Sequence, residues 1–248
     1  MPLKHLEWDS ELFGRRIARF EGHCFTGADA EATQRLCAER AIDCVYLLLD
    51  AADTASIAAA QRCGARFVDI RMTLEAPVSE SEDRVSGHHA AGEIRPAAER
   101  DVPALRRLAA ISHRDTRFYT DSRFDPDRVD LLYQTWIEKS CHGYADAVFV
   151  MDGADGTQGY VTCHLDEGPT GRIGLIAVGP DLQGRGGGAR LLQTARGWFI
   201  RAGCGSWRVA TQGANARALR LYQAYGFRTT AVQVWFHLWL EEGAGGRL

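Results

Sequence analysis

Val178-Gly-Pro-Asp-Leu-Gln183-Gly-Arg-Gly186-Gly-Gly188-Ala-Arg190 decides how the rest of the chain is read. The apolar run Ile173 to Val178 leads into it, and Leu191, Leu192, Ala195, Phe199 and Ala202 recur behind it at helical spacing. The unit is therefore strand, glycine-rich turn, helix. At such a junction the first backbone N–H groups of the helix have no intrahelical partner and face outward at the positive end of its dipole. Glycine at 184, 186, 187 and 188 permits φ > 0 and close approach of a bulky anion, and Arg185 and Arg190 add positive charge. The expected ligand carries a phosphate or pyrophosphate. No Gly-Lys-Ser/Thr closes the turn, which excludes the P-loop, and the spacing is wrong for the dinucleotide fingerprint.

The chain of 248 residues is long for one ordinary domain and short for two full ones. With 46% hydrophobic and 25% charged residues it has the composition of a soluble globular protein. A net charge of −3 argues against bulk nucleic-acid affinity, but local arginines still suit an acidic ligand. No apolar run reaches membrane-spanning length, and Met1 to Asp9 lacks the apolar core of a signal peptide. The seven cysteines are scattered and never form Cys-x-x-Cys. That pattern disfavours a metal site or a disulfide framework and points to a reducing cytoplasm.

Residues 1–75 are expected to form a small α/β unit, with strands over Cys44–Leu49 and Phe67–Leu74 and a helix over Ala55–Arg62. Ala60-Gln-Arg-Cys-Gly64-Ala-Arg-Phe lies naturally beside Tyr222-Gln-Ala-Tyr-Gly226-Phe-Arg, either as a weak internal repeat or as two similar glycine C-caps. This unit carries no anion loop, so its expected role is structural or substrate-shaping. Residues 76–92 form a polar linker in which His88-His89 is expected to be solvated. The second domain, 93–248, opens with a helix over Glu99–His113. Arg117-Phe-Tyr-Thr-Asp-Ser-Arg-Phe124 has neither helical nor strand period and leads into a helix over Asp127–Ser140. Rings stack on a planar base and guanidinium groups pair with phosphate, so Arg117, Phe118, Tyr119, Phe124 and Tyr133 are candidates for acceptor binding. The alternative is that these aromatics plug the core. Strands are expected over Ala147–Met151, Gly159–His164, Arg172–Val178, Ser206–Thr211 and Thr229–Leu240, with a helix from the N-cap Asn215 to the stop at Gly226 and a frayed tail beyond Leu240.

Gln183-x-x-Gly186-x-Gly188 and, after it, Asn215-x-x-Ala218-x-x-x-Tyr222-x-x-x-Gly226-Phe227 resemble the two signatures of the GNAT N-acyltransferase superfamily. The resemblance covers roughly residues 93–240. It implies an α/β (mixed α+β) fold: a central mixed, largely antiparallel sheet with helices on both faces, beside the smaller N-terminal partial α/β unit. It also implies acetyl-coenzyme A, wedged between the strand ending at Val178 and the strand ending near Thr211. By that likeness Leu175, Ile176, Ala177 and Val178 meet the pantetheine arm, while Gln183, Gly184, Arg185, Gly186, Gly187, Gly188 and Ala189 cradle the pyrophosphate. Asn215 and Ala218 would contact the cofactor, and Tyr222 would sit near the thioester sulfur. Amine attack on a thioester needs a neutral amine, donors for the developing oxyanion and an acid for the leaving thiolate. Tyr222 is the candidate acid, in direct transfer within a ternary complex, and no metal is required. Cys163 is the rival nucleophile for a two-step route. Glu138, His164, Asp166 and Glu167 are positional candidates for the base, with ordered water as the alternative.

Further segments sharpen the likeness: Leu6-Glu-Trp-Asp-Ser-Glu-Leu-Phe-Gly14, Tyr133-Gln-Thr-Trp-Ile-Glu138, Arg172-Ile-Gly-Leu and Arg208-Val-Ala-Thr-Gln212 resemble the dTDP-fucosamine acetyltransferases. These N-acetylate the 4-amino group of dTDP-4-amino-4,6-dideoxygalactose for bacterial surface polysaccharide. The resemblance implies a nucleotide-sugar amine as acceptor and a homodimer, while charge and hydropathy argue against nucleic acid and membrane insertion. A protein, polyamine or drug amine is the alternative acceptor. A catalytically silent acyl-coenzyme A sensor is the alternative class.

Overall fold

Cys44 to Leu49 is continuously buried, the signature of a strand covered on both faces, whereas Thr170–Val178 alternates between buried and half-buried positions. The computed structural model describes residues 3–78, 92–153 and 156–240. In chain order the elements are β1 (Leu3–His5), α1 (Glu7–Phe13), β2 (Ile17–Phe20), α2 (Gly27–Arg40), β3 (Cys44–Asp50), α3 (Thr54–Arg62), β4 (Arg66–Pro77) and β5 (Ile94–Pro96). There follow α4 (Val102–Ser112), α5 (Arg117–Thr120), α6 (Pro126–Lys139), β6 (Ala147–Gly153), β7 (Gly156–Leu165), β8 (Thr170–Val178), α7 (Gly187–Arg201), β9 (Ser206–Gln212), α8 (Ala216–Ala224) and β10 (Arg228–Trp239).

These elements pack as two compact units that are interleaved along the chain. One comprises Met1–Arg71, Thr116–Arg128 and Ala231–Leu248, and the other Met72–Asp115 and Val129–Thr230. The sequence reading divides the chain once, at a 76–92 linker. In the structure the chain passes between units within β4, just before α5, early in α6 and within β10. Most of that linker, His88-His89 included, and the tail beyond Leu240 lie outside the described residues.

In the first unit β2 runs parallel to β3, β1 antiparallel to β2, and β10 antiparallel to β3 from Gln233↔Asp50 to Trp239↔Cys44. Its core gathers Phe20, Phe25, Leu36, Val45, Leu47, Leu49, Phe236 and Leu238. Helix α2 begins in a capping box: the Thr26 hydroxyl accepts from Asp29 N–H while the Asp29 carboxylate accepts from Thr26 N–H. The chain's own carboxylate thus occupies that helix N-terminus.

In the second unit the strand order is β4-β9-β8-β7-β6-β5. The pairs from β5 through β8 are antiparallel and β8–β9 is parallel, which makes a mixed sheet. Val161, Cys163 and Ile173 pack with Leu191, Leu192, Ala195 and Phe199 of α7, and with Tyr222 of α8. Tyr160, one residue from Val161 and therefore on the opposite face, meets His113 at the end of α4. Helices thus cover both faces. Among the described residues no helix is long and apolar enough to cross a membrane.

Three local expectations change. The helix expected over Glu99–His113 starts as a 3-10 turn, Glu99–Asp101, because the Asp101 carboxylate is drawn to Arg95 and to Ala98 N–H before α4 begins. The segment read as irregular contains the short helix α5. Residues 1–43, for which no elements are anticipated, hold β1, α1, β2 and α2.

Candidate active site

Two motif helices and one bulged strand build the site in the second unit. β8 pairs with β7 through Val178↔Gly159, but its parallel pairing with β9 ends at Ile173↔Val209. Beyond that point the β9-side edge of Leu175, Ile176, Ala177 and Val178 has no strand partner among the described residues, so its backbone groups remain for an extended, amide-bearing ligand. A bulge accompanies the divergence: Val161 pairs with Ile176 but Cys163 with Ile173, leaving one extra residue in β8. The Thr162 hydroxyl stabilises it by accepting from Leu175 N–H at 2.8 Å. Gly174 has to be glycine here. A Cβ would lie 2.5 Å from His164 Nε2 and 2.7 Å from Thr162 Oγ1. An isolated glycine inside an apolar strand run is the sequence signal that would have located this bulge.

After Val178 the chain tightens through a 3-10 turn, Pro180–Leu182, and enters α7 with Gly184 at φ +76° and Gly186 at φ +85°. Both angles fall in the region glycine adopts without penalty. Side chains are excluded at the next two positions for a different reason: a Cβ on Gly187 would stand 2.8 Å from Met151 Cε, and one on Gly188 3.0 Å from Leu221 Cδ2. The first-turn amides of α7 therefore form a bare, positively polarised cradle, with Arg185 exposed beside it. Gln183 is exposed, donating from Nε2 to Val178 O at 3.0 Å and accepting from Arg217 Nη1. The cradle and the open strand edge together suit a pyrophosphate joined to an amide-bearing arm.

Helix α8 completes the arrangement. Asn215 is its N-cap, and Oδ1 accepts from Ala218 N–H at 3.0 Å. Tyr225 donates to Ala189 O and so ties the end of α8 to the first turn of α7. Tyr222 is 2% exposed and packs beside Phe227. Burial pushes its phenol well above the ordinary tyrosine pKa.

The other sequence candidates separate clearly. The Cys163 thiol lies in the α7-side core, and burial raises it to about 12. Such a thiol is a poor nucleophile. Glu138 is paired with Arg106 at 2.7 Å, and Asp166 with Arg172 and Arg208 at 2.9 and 2.7 Å. His164 differs from them: it is 4% exposed, its Nε2 has no hydrogen-bond partner, and burial followed by Arg172 holds its pKa below the usual histidine value. Tyr133 is buried in the second unit against His113, at 4.8 Å between ring centroids. Arg117, Phe118, Tyr119 and Phe124 belong to the first unit. There Phe118 and Phe124 are 6% and 3% exposed and pack on Phe13, so both rings serve the core, and Tyr119 is half-buried. Among the described residues no three His, Cys, Asp or Glu side chains gather as metal ligands.

Comparison with known proteins agrees with this geometry. Residues 107–227 match the acetyltransferase (GNAT) family. The dTDP-fucosamine acetyltransferase of Escherichia coli O6:H1 is 33% identical over 195 residues, covering 78% of this chain and 80% of that protein. The spore coat polysaccharide biosynthesis protein SpsD of Bacillus subtilis is 26% identical over 154 residues, 59% of this chain and 50% of its own length. A GCN5-related N-acetyltransferase from Sphaerobacter thermophilus superposes with a TM-score of 0.67 over 97% of this chain and 77% of its own, at 15% identity, and so shares the fold. The chain belongs to the GNAT family of acetyltransferases, and acetyl-coenzyme A is its acyl donor.

Proposed function

We propose that this acetyltransferase acts on the amino group of a nucleotide-linked amino-dideoxysugar, dTDP-4-amino-4,6-dideoxygalactose or a close analogue, on a route to surface polysaccharide. The observation that carries this reading is the likeness to a dTDP-fucosamine acetyltransferase over 195 residues, a longer stretch than the 107–227 family match. The relative concerned with spore coat polysaccharide supports the same substrate class.

In this reading the α7 cradle, from Gln183 to Ala189, and the open edge of β8 hold the donor. Bound acetyl-coenzyme A supplies the thioester acetyl group. Tyr222 then holds a proton at Oη. Its raised pKa keeps that proton in place at neutral pH, and a thiol, with a pKa of about 8.5, is the stronger acid. Full transfer ahead of bond breaking is therefore uphill, so Tyr222 donates a hydrogen bond that strengthens as charge grows on the departing sulfur. His164 stays neutral at pH 7, which makes it the uncharged acceptor among the four candidate bases. The acceptor amine is acylated directly, without an acyl-enzyme.

The test is thiol release from acetyl-coenzyme A against dTDP-4-amino-, dTDP-3-amino- and UDP-amino-dideoxysugars, a polyamine and a short peptide. Turnover confined to a nucleotide sugar is the expected result. Turnover on the peptide or polyamine alone would reject the acceptor and keep the enzyme. Donor binding without any turnover would point to an acyl-coenzyme A sensor.

A further inference from the structure

Tyr160 and His113 form a pair that the transfer chemistry above does not use, and both lie within the second unit. Tyr160 is fully buried, on the sheet face opposite α7. Its hydroxyl lies 2.8 Å from His113 Nε2, and among the described residues Oη has no other hydrogen-bond partner. A phenol proton left bare in an apolar interior costs the desolvation of the group. Nε2 is the acceptor at hand, so Tyr160 donates to it. The imidazole proton of His113 therefore sits on Nδ1.

His113 is the C-cap of α4, the point at which that helix stops covering this face of β7 and β8. One face of its ring stacks on Tyr133, at 4.8 Å between centroids and 27° between planes. Nδ1 has no hydrogen-bond partner among the described residues, and the half-buried ring leaves it open to solvent. Desolvation pulls the ring's pKa to about 4, so it carries no charge at neutral pH. The result is a fixed, neutral N–H donor. It is not a base for the reacting amine, because Nε2 is engaged by Tyr160 and Nδ1 already holds a proton.

Tyr160 pairs across the sheet with Ala177, and directly opposed residues share a face with their side chains about 5 Å apart. His113 thus stands one side chain away from the open edge of β8. Ile176 and Val178 turn to the other face, where α7 and Tyr222 fill the space. An acceptor reaches a thioester on that edge from the His113 side. A neutral donor is ill suited to phosphate, which is held better by a cation, and an ammonium offers it no lone pair. An uncharged oxygen beside the amine suits it. We propose that His113, held as its Nδ1–H tautomer by Tyr160, donates to the hydroxyl neighbouring the acceptor amine and so selects amino sugars over simple amines. The inference rests on the amino-sugar acceptor proposed above and supplies a residue that recognises it.

Imidazole nitrogen NMR of the full chain at neutral pH reads the tautomer, and Nδ1–H is the expected result. In Tyr160→Phe the lock is gone and the Nε2–H form is expected to gain. A native His113 protonated on Nε2, or a tautomer indifferent to Tyr160→Phe, overturns the lock and the donor with it. Kinetics compare His113→Asn with His113→Leu, each in the Tyr160→Phe background so that no phenol is orphaned. The Asn amide keeps an N–H near the Nδ1 position and Leu keeps none. The Leu variant is expected to show a KM for the nucleotide amino sugar about 3- to 10-fold above that of the Asn variant, the worth of one hydrogen bond. The fall in kcat is smaller, and acetyl-coenzyme A affinity is unchanged. An analogue lacking the hydroxyl beside the amine should erase the difference. Equal KM in the folded Asn and Leu variants, or a difference that survives on the analogue, overturns the hydroxyl contact and leaves the acceptor standing. Turnover confined to a polyamine or a peptide removes the acceptor and the contact together.

Discussion

Tyr222 and Asn215 each have a structural role, the proposed function gives each a chemical one, and single substitutions separate the two. Tyr222→Phe keeps the ring in its core beside Phe227 and removes only the donor. We expect kcat to fall roughly 100-fold or more while the dissociation constant for acetyl-coenzyme A barely moves. Unchanged turnover would assign Tyr222 to packing alone. Asn215→Ala loses the cap on Ala218 N–H and is expected to cost about 1 kcal/mol in chemical denaturation. Asn215→Asp retains a capping oxygen and loses the amide donor, so weaker donor binding at native-like stability would place that amide on the cofactor. The helix that carries both residues was legible in the sequence because Asn215 reads as its cap and Gly226 as its stop. The fate of Phe118 and Phe124 was not. A ring that stacks on a ligand and a ring that fills a core look alike until burial is known. Asp121 and His237, 116 residues apart, have no shared sequence signal at all.

At the scale of elements, the bulge in β8 governs how the open edge proposed to meet the cofactor is presented. Gly174→Ala would force a methyl against His164 and Thr162, and the expected result is a loss of about 1–3 kcal/mol together with a raised KM for acetyl-coenzyme A. Thermal unfolding and donor titration read the two effects separately, and a neutral outcome in both would show that the bulge yields. Strand β8 and helix α7 were readable because a strong apolar run and a helical stripe flank an unmistakable turn. Helix α2 was not. It buries Ala30, Thr33, Leu36 and Cys37, mostly small or polar side chains that leave no apolar stripe in the sequence. Helices α3 and α8 share one design: nine residues, an Asp53 or Asn215 cap, and a glycine at positive φ, Gly64 or Gly226, two residues past the end. The sequence likeness between those two stretches thus corresponds to the same local geometry.

For the whole molecule, acid sensitivity follows from a histidine buried without charge. His237 has a folded pKa near 4 against about 6.5 when unfolded, so the unfolded chain binds the extra proton between those values. The His237 contribution is expected to be full above pH 6.5 and to decline by about 3 kcal/mol as the pH falls to 4, and His113, also desolvated and held near 4, acts in the same direction. Chemical denaturation from pH 7 to 4 measures this, and His237→Gln should reduce the slope while the His113 part remains. The helices and strands of the catalytic half were legible, but the division of the chain was not, because sequence order gives no hint that the ends of the described chain share a unit. That arrangement carries a consequence for biosynthesis. Strand β3 leaves the ribosome early, yet the strand that hydrogen-bonds its Cys44–Asp50 edge, β10, emerges nearly two hundred residues later. Until then a largely apolar strand waits with an open edge, a template for pairing with other chains. The N-terminal unit is therefore the last to be finished, and its earliest strands stay open to mispairing until β10 has emerged.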